Sequence, residues 1–189
     1  MGERSDPVPQ AAMLDRDGTI VLDTDYLREP ELVQLLPGAA DAIRMLAAKG
    51  IRSVVITNQS GIARGIISLE AYRAVRLRVD QLLRAEGAEL LDSFCCPHHP
   101  DFTGPCACRK PGTELYERAE RLHGFDLSRC VFVGDKGRDV APAAAFGARA
   151  WMVRSPFTAD ADVAAAQAAG APVVSSLLHV AHDILRAAE

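Results

Sequence analysis

Short apolar runs at 11–14, 51–57, 90–95, 129–133 and 149–153 are mostly β-branched or bounded by Gly and Asp. That is the pattern of strands buried on both faces of a parallel sheet. Between them the apolar spacing becomes helical. Ile43, Leu46 and Ala47 share one face of a helix over 38–49, introduced by Pro37 and ended by Gly50, and Leu77, Leu82 and Leu83 fall within a helix over 68–86 that Ser68 can cap. Further helices are predicted over 112–123, 139–146, 159–169 and 175–188. Strand and helix alternate throughout, which predicts an α/β fold: a doubly wound, mostly parallel, Rossmann-like sheet. Residues 1–10, polar and Pro-containing, are expected to form a flexible N-terminal arm, and 11–189 a single domain.

In such sheets ligands bind beyond the carboxyl ends of the strands, where Asp15, Thr57 and Asp135 each stand. Composition narrows what that ligand can be. A hydrophobic fraction of 49% over 189 residues supplies one core, and a net charge of -4 gives no general attraction to nucleic acid or to an anionic membrane. Anion binding must then come from a local cluster, and the partner is expected to be a small molecule. No stretch approaches the roughly 18 apolar residues that span a bilayer, and no signal-peptide run opens the chain. A cytoplasmic protein with no membrane or nucleic-acid partner is expected, and as an uncovered single domain it is expected to be a monomer.

The chemistry is concentrated in Asp15-Arg16-Asp17-Gly18-Thr19, Thr57-Asn58, Arg109-Lys110-Pro111 and Gly134-Asp135-Lys136. A phosphate ester is a dianion, so a carboxylate can attack it only where cations and donors neutralise the growing charge. Asp15 fits the nucleophile that becomes an aspartyl phosphate, and Asp17 the acid and base that serves the leaving group and then water. Thr57 offers a hydroxyl and Lys110 a positive charge. Asp15 and Asp135 suit Mg²⁺, which prefers hard oxygen ligands. A calcium loop is excluded, because Gly18 is fourth rather than sixth and Tyr26 stands where a bidentate Glu is needed. Asp139 is read as an acid that caps the next helix, behind the site.

Cys96, His98, Cys106 and Cys108 form a Cys-x-His and Cys-x-Cys set suited to a closed, structural Zn²⁺ site. Spacing alone leaves Cys95 and Cys96 as alternatives for the first ligand. The loop they bracket contains Pro97, Pro100, Gly104 and Pro105 and runs directly into Arg109-Lys110, so zinc would fix those cations in place. Cys130, inside an apolar run, is read as a buried thiol.

From Met13 to Asp139 these residues resemble the four motifs of the haloacid dehalogenase superfamily of phosphatases. The longer strings Thr57–Gly65, Cys96–Pro100, Cys108–Pro111 and Gly134–Lys136 resemble its D-glycero-D-manno-heptose 1,7-bisphosphate 7-phosphatases. The resemblance implies Asp15 as nucleophile, Asp17 as acid/base, and Mg²⁺ held by Asp15, Asp135 and the carbonyl of Asp17. It implies that Thr57 and Lys110 steady the phosphoryl group and that Arg109 recognises the distal part of the substrate. Asp23, Thr24, Asp25, Tyr26, Asn58, Gln59, Ser60 and Lys136 would line the site, and Cys96 rather than Cys95 would bind zinc. Many relatives insert a cap domain, but 20–36 and 61–109 are too short for one here, so an uncapped crevice is expected. The implied reaction removes the C7 phosphate of the sugar bisphosphate and leaves heptose 1-phosphate. Histidinol-phosphate phosphatase, with a similar nucleophile motif and zinc loop, is the alternative; the Ser60–Gly65 run and Lys136 favour the heptose substrate. Two departures from relatives stand out: the stretch between the zinc-ligand pairs is shorter, and Gly112 follows Lys110-Pro111 where relatives carry more residues.

Overall fold

The computed structural model describes residues 7–188. Six strands, Ala11–Leu14 (β1), Arg52–Asn58 (β2), Asp92–Cys96 (β3), Cys130–Gly134 (β4), Arg149–Val153 (β5) and Val173–Val174 (β6), form one sheet in the order β3-β2-β1-β4-β5-β6. Every neighbouring pair is parallel. Eight helices pack around it: Ala39–Ala48 (α1), Leu69–Ala85 (α2), Pro100–Thr103 (α3), Glu114–His123 (α4), Gly137–Val140 (α5), Ala143–Phe146 (α6), Asp160–Ala168 (α7) and Leu177–Ala187 (α8). The strand order reverses between β1 and β4, and that is where doubly wound sheets open a crevice.

Side chains along each central strand alternate between two separate cores. Leu14, Val55, Val131 and Val133 join Ile43, Leu46, Val75, Leu83, Val180 and Ile184 on one face. Met13, Val54, Ile56 and Phe132 join Leu115, Tyr116 and Ala119 on the other. Both faces are therefore dry, as the continuous apolar runs predict.

Three elements depart from the pattern read from sequence. β6 was not foreseen, because two residues at a sheet edge leave no periodicity to detect. The helix expected over 139–146 is two four-residue helices, α5 and α6, parted at Ala141-Pro142, where the proline contributes no N–H. In the expected arm, 1–6 lie outside the described residues, whereas Pro9 is buried and the Gln10 amide donates to Arg129 O at 2.8 Å. The Asp126 amide donates to Gln10 Oε1 at 2.7 Å, so order begins ahead of β1. The Ser68 cap on α2 is present as expected, its Oγ accepting from the Ala71 amide at 3.0 Å.

Candidate active site

β1, β2 and β4 end together, and each delivers one polar group to the same point. Asp15 follows β1 with its amide donating to Val133 O at 2.8 Å, Thr57 is the last residue but one of β2 and Asp135 follows β4. Lys110 enters from the end of the 97–110 loop and is almost wholly buried. Its Nζ lies 2.7 Å from Asp15 Oδ1, 2.7 Å from Asp139 Oδ1 and 2.6 Å from the Ile56 carbonyl. Two of the ammonium's protons are donated, to Asp15 and to the Ile56 carbonyl, while Asp139 faces it as an ion pair.

Carboxylate oxygens of Asp15, Asp135 and Asp139 lie within 4.8 Å of one another. Such crowding is electrostatically costly. Burial pushes the Asp15 carboxyl up to about 7, against the lowering pull of Lys110, while Asp139 and Asp17 add to the rise. Burial likewise raises Asp135, partly opposed by a hydrogen bond from Ser155. Burial by itself would lower Lys110, but the charges of Asp139 and Asp15 outweigh it and hold the ammonium protonated. One lysine cannot neutralise three acids. Among the described residues nothing donates to Asp15 Oδ2 or Asp135 Oδ1, and this hard-oxygen donor set fits Mg²⁺.

Two glycines allow the acids to come so close. A Cβ on Gly134 would fall 2.3 Å from Asp139 Cβ, and one on Gly18, at φ 76°, 2.5 Å from Asp135 Oδ2.

Asp17 faces the mouth of the crevice. Arg16 grips it with Nε to Oδ1 at 3.0 Å and Nη2 to Oδ2 at 2.9 Å, and Gln59 Nε2 donates both to Asp17 Oδ2 at 2.8 Å and to Thr57 Oγ1 at 2.9 Å. Since Thr57 accepts from Gln59, its own proton is free for a ligand. Asn58 clips β2 to the 97–110 loop, donating to Lys110 O at 3.1 Å and accepting from Lys110 N at 3.0 Å.

The crevice above these groups has a volume of about 210 Å³, and its walls include Asp23, Asp25, Tyr26, Ser60, Arg109 and Lys136. Thr24 is the exception among the residues expected there. Asp25 and Tyr26 adopt left-handed φ values of 53° and 60°, and in that reversal Thr24 lines a neighbouring hollow with Arg28 and Ile66. Arg64 Nη1 donates to Tyr26 Oη at 2.6 Å and secures the turn.

The Cys/His loop closes as the spacing predicts. Cys108 Sγ lies 3.1 Å from Cys96 Sγ, 3.5 Å from Cys106 Sγ and 3.2 Å from His98 Nδ1, and Cys96 Sγ is 3.6 Å from Cys106 Sγ. A tetrahedral zinc with Zn–S of about 2.3 Å has S···S edges of about 3.8 Å, so these four atoms fit around one ion. Burial pushes the Cys96 and Cys108 thiols up, so a cation is what such a cluster needs to hold thiolates. Strand alternation separates the two candidate first ligands: Cys96 faces the cluster, and Cys95 meets Tyr72 on the other side of β3. Accordingly Cys96→Ser is expected to remove bound zinc, measured by elemental analysis of the purified protein, while Cys95→Ser retains about one ion per chain. Loss of zinc from the Cys95 variant alone would reverse the assignment.

Comparison with known proteins places this geometry. The D-glycero-beta-D-manno-heptose-1,7-bisphosphate 7-phosphatase of Yersinia pestis is 38% identical over 164 residues, covering 82% of this chain and 87% of its own. That of Mesorhizobium japonicum is 41% identical over 149 residues, covering 76% of this chain and 69% of its own. A HAD-hydrolase-like family model matches residues 107–180. The crystal structure of D,D-heptose 1,7-bisphosphate phosphatase from B. bronchiseptica, complexed with magnesium and phosphate, has a TM-score of 0.83 at 33% identity and covers 94% of this chain and 98% of that one. The chain belongs to the heptose bisphosphate phosphatase family of the haloacid dehalogenase superfamily. It is a phosphoric monoester hydrolase built on an uncapped α/β sheet.

Within this phosphatase some groups near the reacting centre went unrecognised in the sequence. Asp139 does cap α5, its Oδ2 accepting from the Lys136 amide at 3.0 Å, but its other oxygen pairs with Lys110 inside the acid cluster. It braces Lys110 from behind the crevice, whose walls do not include it. Arg138 lines the crevice although nothing in its spacing set it apart. Ser155 reaches Asp135 from a loop with no motif of its own.

Proposed function

We propose that this phosphatase hydrolyses the C7 phosphate of D-glycero-D-manno-heptose 1,7-bisphosphate and releases the 1-phosphate. The observation that carries the reading is the pairing of a buried Asp15–Lys110 centre with an arginine, Arg109, on the wall of the same crevice. A planar guanidinium can grip a second phosphate bidentately, and histidinol phosphate has no second phosphate to offer. Arg109 is itself anchored, Nη1 donating to His98 O at 3.3 Å, so zinc at Cys96, His98, Cys106 and Cys108 would set its position. Lys136 lines the same crevice beside Asp135.

In the reaction we infer, the Asp15 carboxylate attacks phosphorus, the P–O bond to C7 breaks, and Asp17 gives its proton to the departing alkoxide. Asp17 then takes a proton from the water that attacks the aspartyl phosphate, which frees phosphate and restores both acids. Lys110 pulls the Asp15 carboxyl toward its ionised form against the effect of burial, and the Thr57 hydroxyl donates to a phosphoryl oxygen. Asp15, Asp135 and the carbonyl of Asp17 would hold Mg²⁺, which when bound offsets the charge shared by the carboxylates and the phosphate.

The test is magnesium-dependent phosphate release from both anomers of the heptose bisphosphate, fructose 1,6-bisphosphate and histidinol phosphate, compared by kcat/KM. A heptose bisphosphate is expected to lead histidinol phosphate by at least about tenfold. Arg109→Ala is expected to raise KM for the bisphosphate by about 10–100-fold while leaving a sugar monophosphate nearly unaffected. A lead by histidinol phosphate, or equal losses on both ester types, would defeat the substrate assignment.

A further inference from the structure

The loop after β5 holds Asp135 through both its carboxylate and its carbonyl. Ser155 Oγ donates to Asp135 Oδ2 at 2.7 Å, and the Phe157 amide donates to Ser155 Oγ at 3.1 Å. Thr158 completes the unit: its Oγ1 accepts from the Ser155 amide at 2.9 Å and donates to the Asp135 carbonyl at 2.9 Å. Each hydroxyl has a single proton. The Thr158 proton is committed to the Asp135 carbonyl, and the Phe157 amide fills a lone pair on Ser155. The Ser155 proton has two acceptors in reach, Thr158 Oγ1 at 3.2 Å and Asp135 Oδ2 at 2.7 Å, and the shorter contact to the charged oxygen takes it.

The same oxygen is confined from another direction by Gly18, where a Cβ would come within 2.5 Å of it. Lys136 pairs with the same oxygen only at 3.6 Å, beyond hydrogen-bond distance, and its ammonium donates to the Phe157 carbonyl of this same loop. Oδ2 is thus satisfied by a neutral donor, and Oδ1 is left for a cation. A neutral hydroxyl fixes the carboxylate's orientation while withdrawing less of its charge than an ammonium would.

We infer that Ser155 is a positioning residue for Mg²⁺ binding, turning the Asp135 carboxylate so that Oδ1 is presented to the ion, with Thr158 fixing the backbone from which Asp135 projects. This rests on the reading of Asp135 as a Mg²⁺ ligand. The substrate does not touch Ser155 in this scheme, so its effect is on the affinity for the ion.

Calorimetric titration of the magnesium-free protein with magnesium chloride tests it directly. Ser155→Ala is expected to raise the Kd for Mg²⁺ by about tenfold or more, and Ser155→Thr to restore most of the affinity. At saturating magnesium the substrate KM should match that of the unaltered protein. Asp135→Asn separates the two levels of the claim. If it binds Mg²⁺ as tightly as the parent, the ligand reading fails and the role of Ser155 with it. If it loses the ion while Ser155→Ala keeps parental affinity, only the role of Ser155 is overturned. Should the alanine variant not fold, Ser155→Cys, a weak donor of similar shape, is expected to bind Mg²⁺ less tightly than Ser155→Thr; equal affinities overturn the inference.

Discussion

Asp15→Asn is expected to abolish phosphate release, lowering kcat by about 10⁴-fold or more, because the amide cannot form the covalent phosphoryl ester. The same variant carries a second signature that loss of structure would not produce. In the magnesium-free protein the Asp15 carboxyl is pushed up to about 7 by burial, far above its value in the unfolded chain. Between pH 4 and 7 the unfolded chain therefore releases this proton while the folded chain keeps it. The folded state binds more protons there, so the group's contribution to stability is present at low pH and lost as pH rises. An asparagine has no proton to lose. Asp15→Asn should match the parent most nearly in urea unfolding near pH 4 and exceed it by a growing margin up to pH 8, without magnesium. Turnover by the variant, or a stability difference that does not grow with pH, would remove Asp15 from its assigned place.

Lys110→Met is the second large effect, and here stability and activity fall together. The methionine preserves an apolar stem but removes the charge that faces Asp15 Oδ1 and Asp139 Oδ1, each at 2.7 Å, in a side chain only 1% exposed. Breaking a buried pair by deleting one partner costs about 3–5 kcal/mol, because the remaining charge is stranded. Two are stranded here. Urea unfolding should show a loss in that range, and phosphate release should drop by at least about 10³-fold, since charge build-up at the reacting group goes uncompensated. Adding Asp139→Asn to Lys110→Met should recover part of the stability and none of the activity. If the single variant unfolds like the parent, the charge network does not hold the site together.

The fold was legible because burial on both sheet faces writes continuous apolar runs, and five of the six strands carry them. The acids and cations at strand ends were legible for the same reason: a polar residue that terminates an apolar run has one place to go. What escaped is set by contacts between distant segments. Asp139 is indistinguishable from any helix-capping acid until Lys110 is seen beside it. Ser155 sits in a short polar turn, and only the packing of β5 beside β4 brings it to Asp135. Thr24 was grouped with its neighbours, but two successive left-handed residues turn it from the crevice, and a backbone reversal at Asp25-Tyr26 has no glycine to announce it. For the adjacent cysteines, spacing offered no choice between them, and the alternation of β3 does.

Lys110 and Asp15 are joined across 95 positions of chain. A polypeptide emerging from the ribosome therefore carries Asp15 long before its lysine partner exists, and any cut between the two that lets the halves part leaves neither able to work. The charge pair at the reacting centre is therefore complete only once the chain has been made through Lys110 and the sheet has formed.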